Sequence, residues 1–388
     1  MLTESSDAVD GVPVRYAARP TSTSDVADVL RHTAAENLAV VARGSGSKLS
    51  WGRPPERADV LLDLSGLTGI VDHAAGDLVL RVRAGTPMST VVDTLAPAGQ
   101  RLALATRLAG QRGPLGGTVG GTIAANPPGP LRYAYGMVRD LLIGVTVVRA
   151  DGAVAHSGGA VVKNVAGYDL GKLLCGSLGT LGIVTEAVFR LHPTPESTAV
   201  VAKTVGSGDE ATRLAVAIRH SQVAPSGVEL NWTGSGGTIA VLVEGVAGGI
   251  EARTDALVGL LGGDAEITAL PDWWHEPVAG NTILRAAVAP TGLGALLDAM
   301  PDSAVARGCA GLGTVHIGLI NPSADLIVTL RKVAQAHDGT VWVEQAPAAV
   351  RQAVDSFGPV PALSLMRRVK RQFDPDRRLS PGRFVGGI

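Results

Sequence analysis

The sequence predicts a two-domain α+β protein, and three observations lead there. The chain is 388 residues long, more than one ordinary core organises, and 46% of it is apolar, which is enough to bury two cores. Short strand-like and helix-like patterns alternate along its length. Residues 157–186 then carry seven glycines (Gly158, Gly159, Gly167, Gly171, Gly176, Gly179 and Gly182) and still end in the strand pattern Ile183-Val184-Thr185-Glu186. Each ordered glycine costs about 0.5–1 kcal/mol in chain entropy, so seven of them need a reason. Backbone passing close to a flat or anionic ligand is one; a run of tight turns is the plainer alternative.

Taken in order, Ser22 or Ser24 caps a helix whose apolar positions Val26, Val29, Leu30 and Ala34 repeat on one face, and Asn37 ends it. Residues 38–42 form a short buried strand that runs into Arg43-Gly44-Ser45-Gly46-Ser47-Lys48. A dinucleotide fold of the Rossmann type would continue there into a helix, whereas Leu49-Ser50-Trp51-Gly52-Arg53-Pro54-Pro55 forbids one. The loop itself is therefore the candidate anion site, with inward-turned amides and the Ser45 and Ser47 hydroxyls forming a nest. Walker-type phosphate binding is excluded because the Gly-Lys-Ser/Thr ending is missing.

Residues 60–64 and 78–83 read as strands, and Thr86-Pro87 opens a helix that reaches Leu95. Residues 110–126 form a second glycine-rich loop, Gly116-Gly117-Thr118-Val119-Gly120-Gly121-Thr122-Ile123-Ala124-Ala125-Asn126, whose small residues suit backbone lying against a ligand. A strand at 141–149, a turn at Asp151-Gly152 and a returning strand at 153–156 follow. From Thr198 the glycine loops stop. Strands at 200–205 and 238–243 alternate with helices at 210–220 and 250–261, and a helix followed by a Pro/Gly-punctuated end closes the chain.

Composition narrows the function classes. The formal net charge is -1 with 18% charged residues, and no basic block or stripe is present, which argues against nucleic acid or an anionic membrane surface as a direct partner. No uncharged apolar run reaches the roughly 18 residues of a spanning helix, and Glu4, Asp7 and Asp10 break any secretory signal. The expectation is a cytoplasmic protein without direct membrane insertion. Cys175 and Cys309 are the only cysteines, too few for an iron–sulfur cluster, which needs about four thiolates. No other metal-ligand spacing is visible.

Four separated pieces together resemble the FAD-binding flavoproteins of the vanillyl-alcohol oxidase type, with a PCMH-type FAD domain. They are the loop 43–47, the stretch from Gly117-Thr118-Val119-Gly120-Gly121 to Tyr135-Gly136-Met137-Val138-Arg139-Asp140, the stretch from Lys163-Asn164-Val165-Ala166-Gly167-Tyr168-Asp169 to Glu186, and Phe373-Asp374-Pro375 to Pro381-Gly382-Arg383. Within that family the third piece is most similar to the FAD-binding E subunit of glycolate oxidase. The resemblance implies a two-lobed FAD-binding domain at 1–196, with lobes at 10–65 and 66–196, a smaller α+β cap at 197–345 and a segment at 346–388 that returns to the FAD domain.

It further implies FAD along the loops: Arg43, Gly44, Ser45, Gly46, Ser47 and Lys48 at the pyrophosphate, Gly116, Gly117, Thr118, Gly120, Gly121, Ala124 and Asn126 beside pyrophosphate and ribose, and Gly179, Gly182 and Ile183 beside the adenine or flavin. Relatives with covalent flavin carry a histidine where this chain has Ser47, so non-covalent FAD is expected. The implied partners are a larger flavoprotein subunit, an iron–sulfur subunit and a small 2-hydroxy acid. Oxidation of such a substrate calls for a base and a carboxylate clamp. His316, on a strand-like run flanked by glycine, and Arg285 are the candidates; a core histidine is the plainer reading of the first. Glu229, Glu244, Glu344 and His275 rank below them, and Trp273-Trp274 is expected to pack. The family's His-rich metal motif is represented only by His316. A self-sufficient hydroxy-acid or alcohol oxidoreductase and a flavin-binding scaffold without turnover remain as alternatives.

Overall fold

The computed structural model describes residues 2–104, 116–160 and 168–388. Lys163 to Gly167 of the third signature piece and residues 110–115 of the second glycine loop lie outside the described residues.

The architecture is α+β and rests on three main sheets. The first is a small, mostly parallel sheet. Its strands β1 (Tyr16–Ala18), β2 (Val40–Arg43) and β3 (Val60–Asp63) lie in the order β1-β3-β2, with Thr3–Glu4 pairing antiparallel outside β1. Helix α1 (Thr23–Ala35) makes the crossover from β1 to β2. Its start is fixed locally: the Ser22 hydroxyl accepts from the Asp25 amide at 3.0 Å and the Asp25 carboxylate accepts from the Ser22 amide at 3.0 Å, a reciprocal capping box. Asn37, left-handed at φ 49, ends it.

The second sheet is antiparallel and five-stranded. Its members are β4 (Ile70–Ala74), β5 (Val79–Arg83), β6 (Leu142–Val148), β7 (Val154–Gly158) and β8 (Ile183–Arg190), in the order β7-β6-β8-β5-β4. Val26 and Leu30 of α1 pack against Val40, Val60 and Leu62 on one side and Val148 and Ile183 on the other, so one helix is shared between the first two sheets. Helix α2 (Met88–Leu95) follows β5, with Pro87 at its cap position. The stretch from Gly117 to Asn126 departs from the expected open loop. Val119–Ala125 is a short helix, α3, capped by Thr118 and closed by Asn126 at φ 45. Two adjacent glycines disfavour a helix by about 1 kcal/mol each, and tertiary contacts outweigh that here: the Val119 amide donates to Thr86 O at 3.0 Å and the Gly120 amide to Ala84 O at 2.7 Å.

The third sheet has eight antiparallel strands. They are β9 (Ser197–Val205), β10 (Gly227–Thr233), β11 (Gly236–Gly245), β12 (Glu266–Thr268), β13 (Thr282–Ala287), β14 (Val305–Cys309), β15 (Thr314–Leu319) and β16 (Thr340–Gln345), in the order β12-β9-β11-β10-β14-β15-β13-β16. Helices α4 (Gly208–His220), α5 (Ala247–Leu261), α6 (Leu293–Asp298) and α7 (Ala324–Ala336) cover one face, where Val228, Leu230, Leu284, Ala286, Val315, Ile317, Val341 and Val343 build the largest core. Because side chains alternate along a strand, the residues between these core positions point to the opposite face.

The chain ends with helix α8 (Leu363–Phe373) and a tail that returns to the first two sheets. Lys370 is buried and donates to Asp374 at 2.7 Å, Thr180 O at 2.7 Å and Leu379 O at 2.9 Å. Asp374, fully buried, accepts from the Arg378 and Leu379 amides. Leu379 then bridges to Val40 in parallel register beside β2.

Candidate functional site

Three backbone bends meet where β2, α3 and β8 come together. β2 ends at Arg43 and the chain turns through 44–48 with Gly46 at φ +81. A Cβ at Gly44 would fall 2.1 Å from Thr118 Oγ1, so the first bend and the cap of α3 touch only because residue 44 is glycine. Among the described residues, the backbone amides of 44–48 donate to no backbone carbonyl; the next amides close tight turns, Leu49 to Gly46 O and Trp51 to Lys48 O. Free, adjacent amides in a glycine and serine turn make an anion-binding concavity. The Arg43 guanidinium does not join it: it is bonded to Asp63 at 2.9 Å and to Asp7 at 3.4 Å, which leaves the backbone of Arg43 to face the cleft.

The second bend supplies Gly116 and Gly117, the latter at φ +99, where only glycine sits without strain. Helix α3 itself offers no free amide at its start, since those of Val119, Gly120 and Gly121 go to Thr86 O, Ala84 O and Thr118 Oγ1. Gly120 is glycine for packing: its Cβ would stand 2.9 Å from the Ala84 methyl. The third bend hangs from the end of the same helix, with Gly176 N donating to Ile123 O at 3.0 Å and Leu178 N to Ala124 O at 2.9 Å. Gly179 takes φ +75, whereas Gly182 is small because Val147 Cγ2 lies 2.6 Å from where its Cβ would be. The glycines expected to face a ligand thus divide into those that open the cleft and those that let helix and sheet close on it.

Between the bends run two narrow cavities of about 80 and about 70 Å³. The first is lined by residues 41–49, Gly117, Thr118, Gly121 and Ala124. The second adds Gly120, Gly179, Gly182 and Ile183. Ser47, Ala125 and Leu178 also line two wider chambers of about 300 and about 230 Å³ under the eight-stranded sheet. Two buried polar atoms on this side, Thr122 Oγ1 and Asn126 Oδ1, have no hydrogen-bond partner among the described residues. Buried polar groups are rarely left so, and a long ligand rich in hydrogen-bonding groups would satisfy them.

The roof of the wide chambers is the face of the eight-stranded sheet opposite its helices. Asn231, Arg307, His316, Arg285 and Trp342 stand in one cross-strand row on β10, β14, β15, β13 and β16. His316 and Glu344 line the larger chamber, and Arg285, Trp342 and Glu344 the smaller. His316 is therefore no core histidine. Its Nε2 lies 3.3 Å from Glu344 Oε2, with side-chain exposures of only 13% and 9%. Burial pushes the Glu344 carboxyl up, but His316, Arg285 and Lys48 outweigh it and hold the group below the ordinary glutamate value. The Arg285 guanidinium stacks 5.1 Å from the Trp342 ring centroid. Burial and the nearby Arg132 charge lower its pKa, against the pull of Glu344. Enclosure brings the Lys48 ammonium down to about 8, with Glu344 opposing.

Glu344 is the residue that sequence reasoning undervalued. On β16, Val341 and Val343 face the core and Glu344 the opposite side, where it meets His316 of β15, two places away across the strand order. The other secondary candidates lie elsewhere. Glu244 takes Arg101 at 2.7 Å on both oxygens and Tyr135 Oη at 3.0 Å. Trp274 is buried against Leu131, Ala240 and Leu242, and Glu229 is fully buried on β10.

Residues 14–170 match the family model described as an FAD binding domain, and residues 326–384 match the C-terminal domain of FAD linked oxidases. The chain belongs to the FAD-linked oxidoreductases. FAD is its cofactor, and the family resemblance drawn from the glycine bends holds. The chain is 29% identical to D-2-hydroxyglutarate dehydrogenase of Xanthomonas citri pv. viticola over 95% of its own length and 88% of that protein. It is 37% identical to glycolate oxidase subunit GlcE of Escherichia coli over 42% of its length and 45% of that protein. Its fold matches alkyldihydroxyacetonephosphate synthase with a TM-score of 0.72 at 16% identity, covering 95% of this chain and 76% of that one. Among the described residues, no helix is long and apolar enough to cross a membrane and no group of three or more metal-ligating side chains converges.

Proposed function

We propose that this FAD-linked oxidoreductase oxidises a small 2-hydroxy acid and serves as the FAD-binding subunit of a glycolate-type dehydrogenase, handing electrons to a partner. The observation that carries the chemistry is the His316–Glu344 pair beside Arg285 on the sheet face above the wide chambers. The likeness to GlcE supports the partner. Bound FAD supplies the two-electron acceptor. The residues expected to hold it are the amides of 44–48 and 116–117 at the pyrophosphate, with Ala124, Asn126, Gly179 and Ile183 along the remaining length. Ser47 gives the flavin no group for a covalent bond, so acid should release all colour from the protein.

In this reading His316 takes the substrate hydroxyl proton. With Nε2 turned to Glu344, the hydrogen on that nitrogen is the one the carboxylate accepts, which leaves Nδ1 as the basic atom. Arg285 holds the substrate carboxylate through a planar, two-point contact. Its cation is oriented by Trp342.

Because the pair lies within this chain, a second reading is favoured by the same observation: turnover without a larger flavoprotein subunit. The test is anaerobic mixing of the purified yellow protein with glycolate or D-lactate. Bleaching by the protein alone supports self-sufficient oxidation. Bleaching only after a larger flavoprotein and an iron–sulfur subunit are added supports the subunit reading. No bleaching in any combination would leave a flavin-binding scaffold and sink the proposal.

A further inference from the structure

Arg383 is only 3% exposed, and it takes part in no ion pair among the described residues. Its Nη2 donates to the carbonyls of Leu49 and Trp51 at 2.7 and 2.9 Å, which pins the guanidinium to the end of the first bend. Its Nη1 is buried and has no hydrogen-bond partner among the described residues. The side chain lines the narrow cavity that runs along residues 41–49 past Gly117 and Thr118. Burial lowers its pKa to about 10, with Asp10 opposing and Arg351 adding to the fall. Asp10 cannot serve as its counter-charge, because Arg351 already holds both carboxylate oxygens. Buried charges are normally paired, so the orphaned nitrogen asks for an anion in the cavity it lines. Lys48 lines the same cavity, with its ammonium 3.6 Å from where a Cβ on Gly117 would stand, against the bare backbone of the second bend. A pyrophosphate diester carries one negative charge on each phosphate, and two cations beside a nest of unpaired amides match it.

We propose that Arg383 is a cofactor-binding residue: its Nη1 donates to the FAD pyrophosphate at the nest after β2, supplying the charge that Arg43, tied to Asp63, does not. The inference rests on FAD as the cofactor and not on the substrate proposed above, so a failed substrate test leaves it standing. The competing role for Arg383 is that of a brace alone, which holds the turn at 49–51 through Nη2. The experiment separates the two.

FAD affinity is read from flavin fluorescence as the holoprotein is diluted, and folding from urea unfolding. Arg383→Gln removes the charge but keeps an N–H donor, whereas Arg383→Lys keeps the charge. Arg383→Gln should weaken FAD by at least about tenfold, the loss of one charge-assisted contact, and Arg383→Lys should recover most of that affinity. In Arg383→Lys the phosphorus resonances of bound FAD should move from their wild-type positions, which the loss of a brace remote from the phosphates would not cause. The proposal is overturned if those resonances stay in place, or if Arg383→Gln retains FAD like the wild type. Equal loss of FAD from both variants, folded or not, also overturns it and leaves Arg383 a brace.

Discussion

Arg101 and Glu244 form a two-point ion pair, 2.7 Å at each contact, that joins the short antiparallel pair Gln100–Arg101 and His192–Pro193 to the eight-stranded sheet. Tyr135 closes it by donating to Glu244 at 3.0 Å and lying under the Arg101 guanidinium. The chambers above the flavin bends are bounded by both halves of the molecule, and this clamp is one of the contacts that tie those halves together.

Truncating one partner should therefore be costly. Arg101→Met leaves a carboxylate of 5% side-chain exposure without its cation and should destabilise the protein by about 3 kcal/mol, read from urea unfolding. Glu244→Gln keeps the shape and should cost less. The sign with pH follows from Glu244: burial raises its pKa, but Arg101 and its neighbours outweigh that and hold it below the ordinary glutamate value. The clamp's contribution is then fully present above the unfolded carboxyl pKa and is lost as pH falls through the depressed folded one. A wild-type acid-unfolding profile unchanged by Glu244→Gln would contradict this.

Gly44→Val places a branched side chain on Thr118 Oγ1, which already lies 2.1 Å from a bare Cβ. The two bends must separate and flavin should be lost, seen as a fallen ratio of flavin to protein absorbance after gel filtration. Gly120→Val should also lose flavin, but by forcing α3 off Ala84, so its melting temperature should drop too. Normal flavin occupancy in Gly44→Val would place the cofactor elsewhere.

His316→Ala should leave flavin content intact and slow anaerobic flavin reduction by about 10²–10⁴-fold, the usual worth of a positioned base. Glu344→Gln should slow it less, because the amide oxygen can still accept from the imidazole Nε2–H and keep the ring oriented. Rates unchanged in His316→Ala would mean that the proton leaves by another group.

Lys370→Met strips the cation from Asp374, which is fully buried, and should cost about 3–5 kcal/mol. Thr180, in the third bend, loses its carbonyl contact at the same time. Flavin retention should weaken even at temperatures where the variant remains folded, and a variant with wild-type stability and occupancy would show that the α8 anchor is dispensable.

Much of this molecule could be read from local signals. The Ser22 cap, the glycine bends at 44–48 and 176–182 and the absence of a helix after Lys48 all depend on residues close in sequence. What stayed hidden depends on partners far away. Helix α3 forms because Ala84 and Thr86 offer carbonyls to amides some thirty residues later, and the sequence around Gly120 and Gly121 contains nothing of that. Gly182 lines the second narrow cavity, but its closeness to Val147 could not be read from its neighbours in sequence. The strand-like run around His316 was visible, whereas the meeting of His316 with Glu344 follows from the order β15-β13-β16, which no periodicity encodes.

Arg383 donates to the carbonyls of Leu49 and Trp51 at 2.7 and 2.9 Å, across 334 and 332 residues of chain. The bend that should receive the cofactor is separated from its brace by more than 330 residues of chain. Pairings this distant in sequence form late. Cofactor capture is accordingly expected only once Arg383 has joined the fold, and a chain lacking that residue should hold FAD weakly.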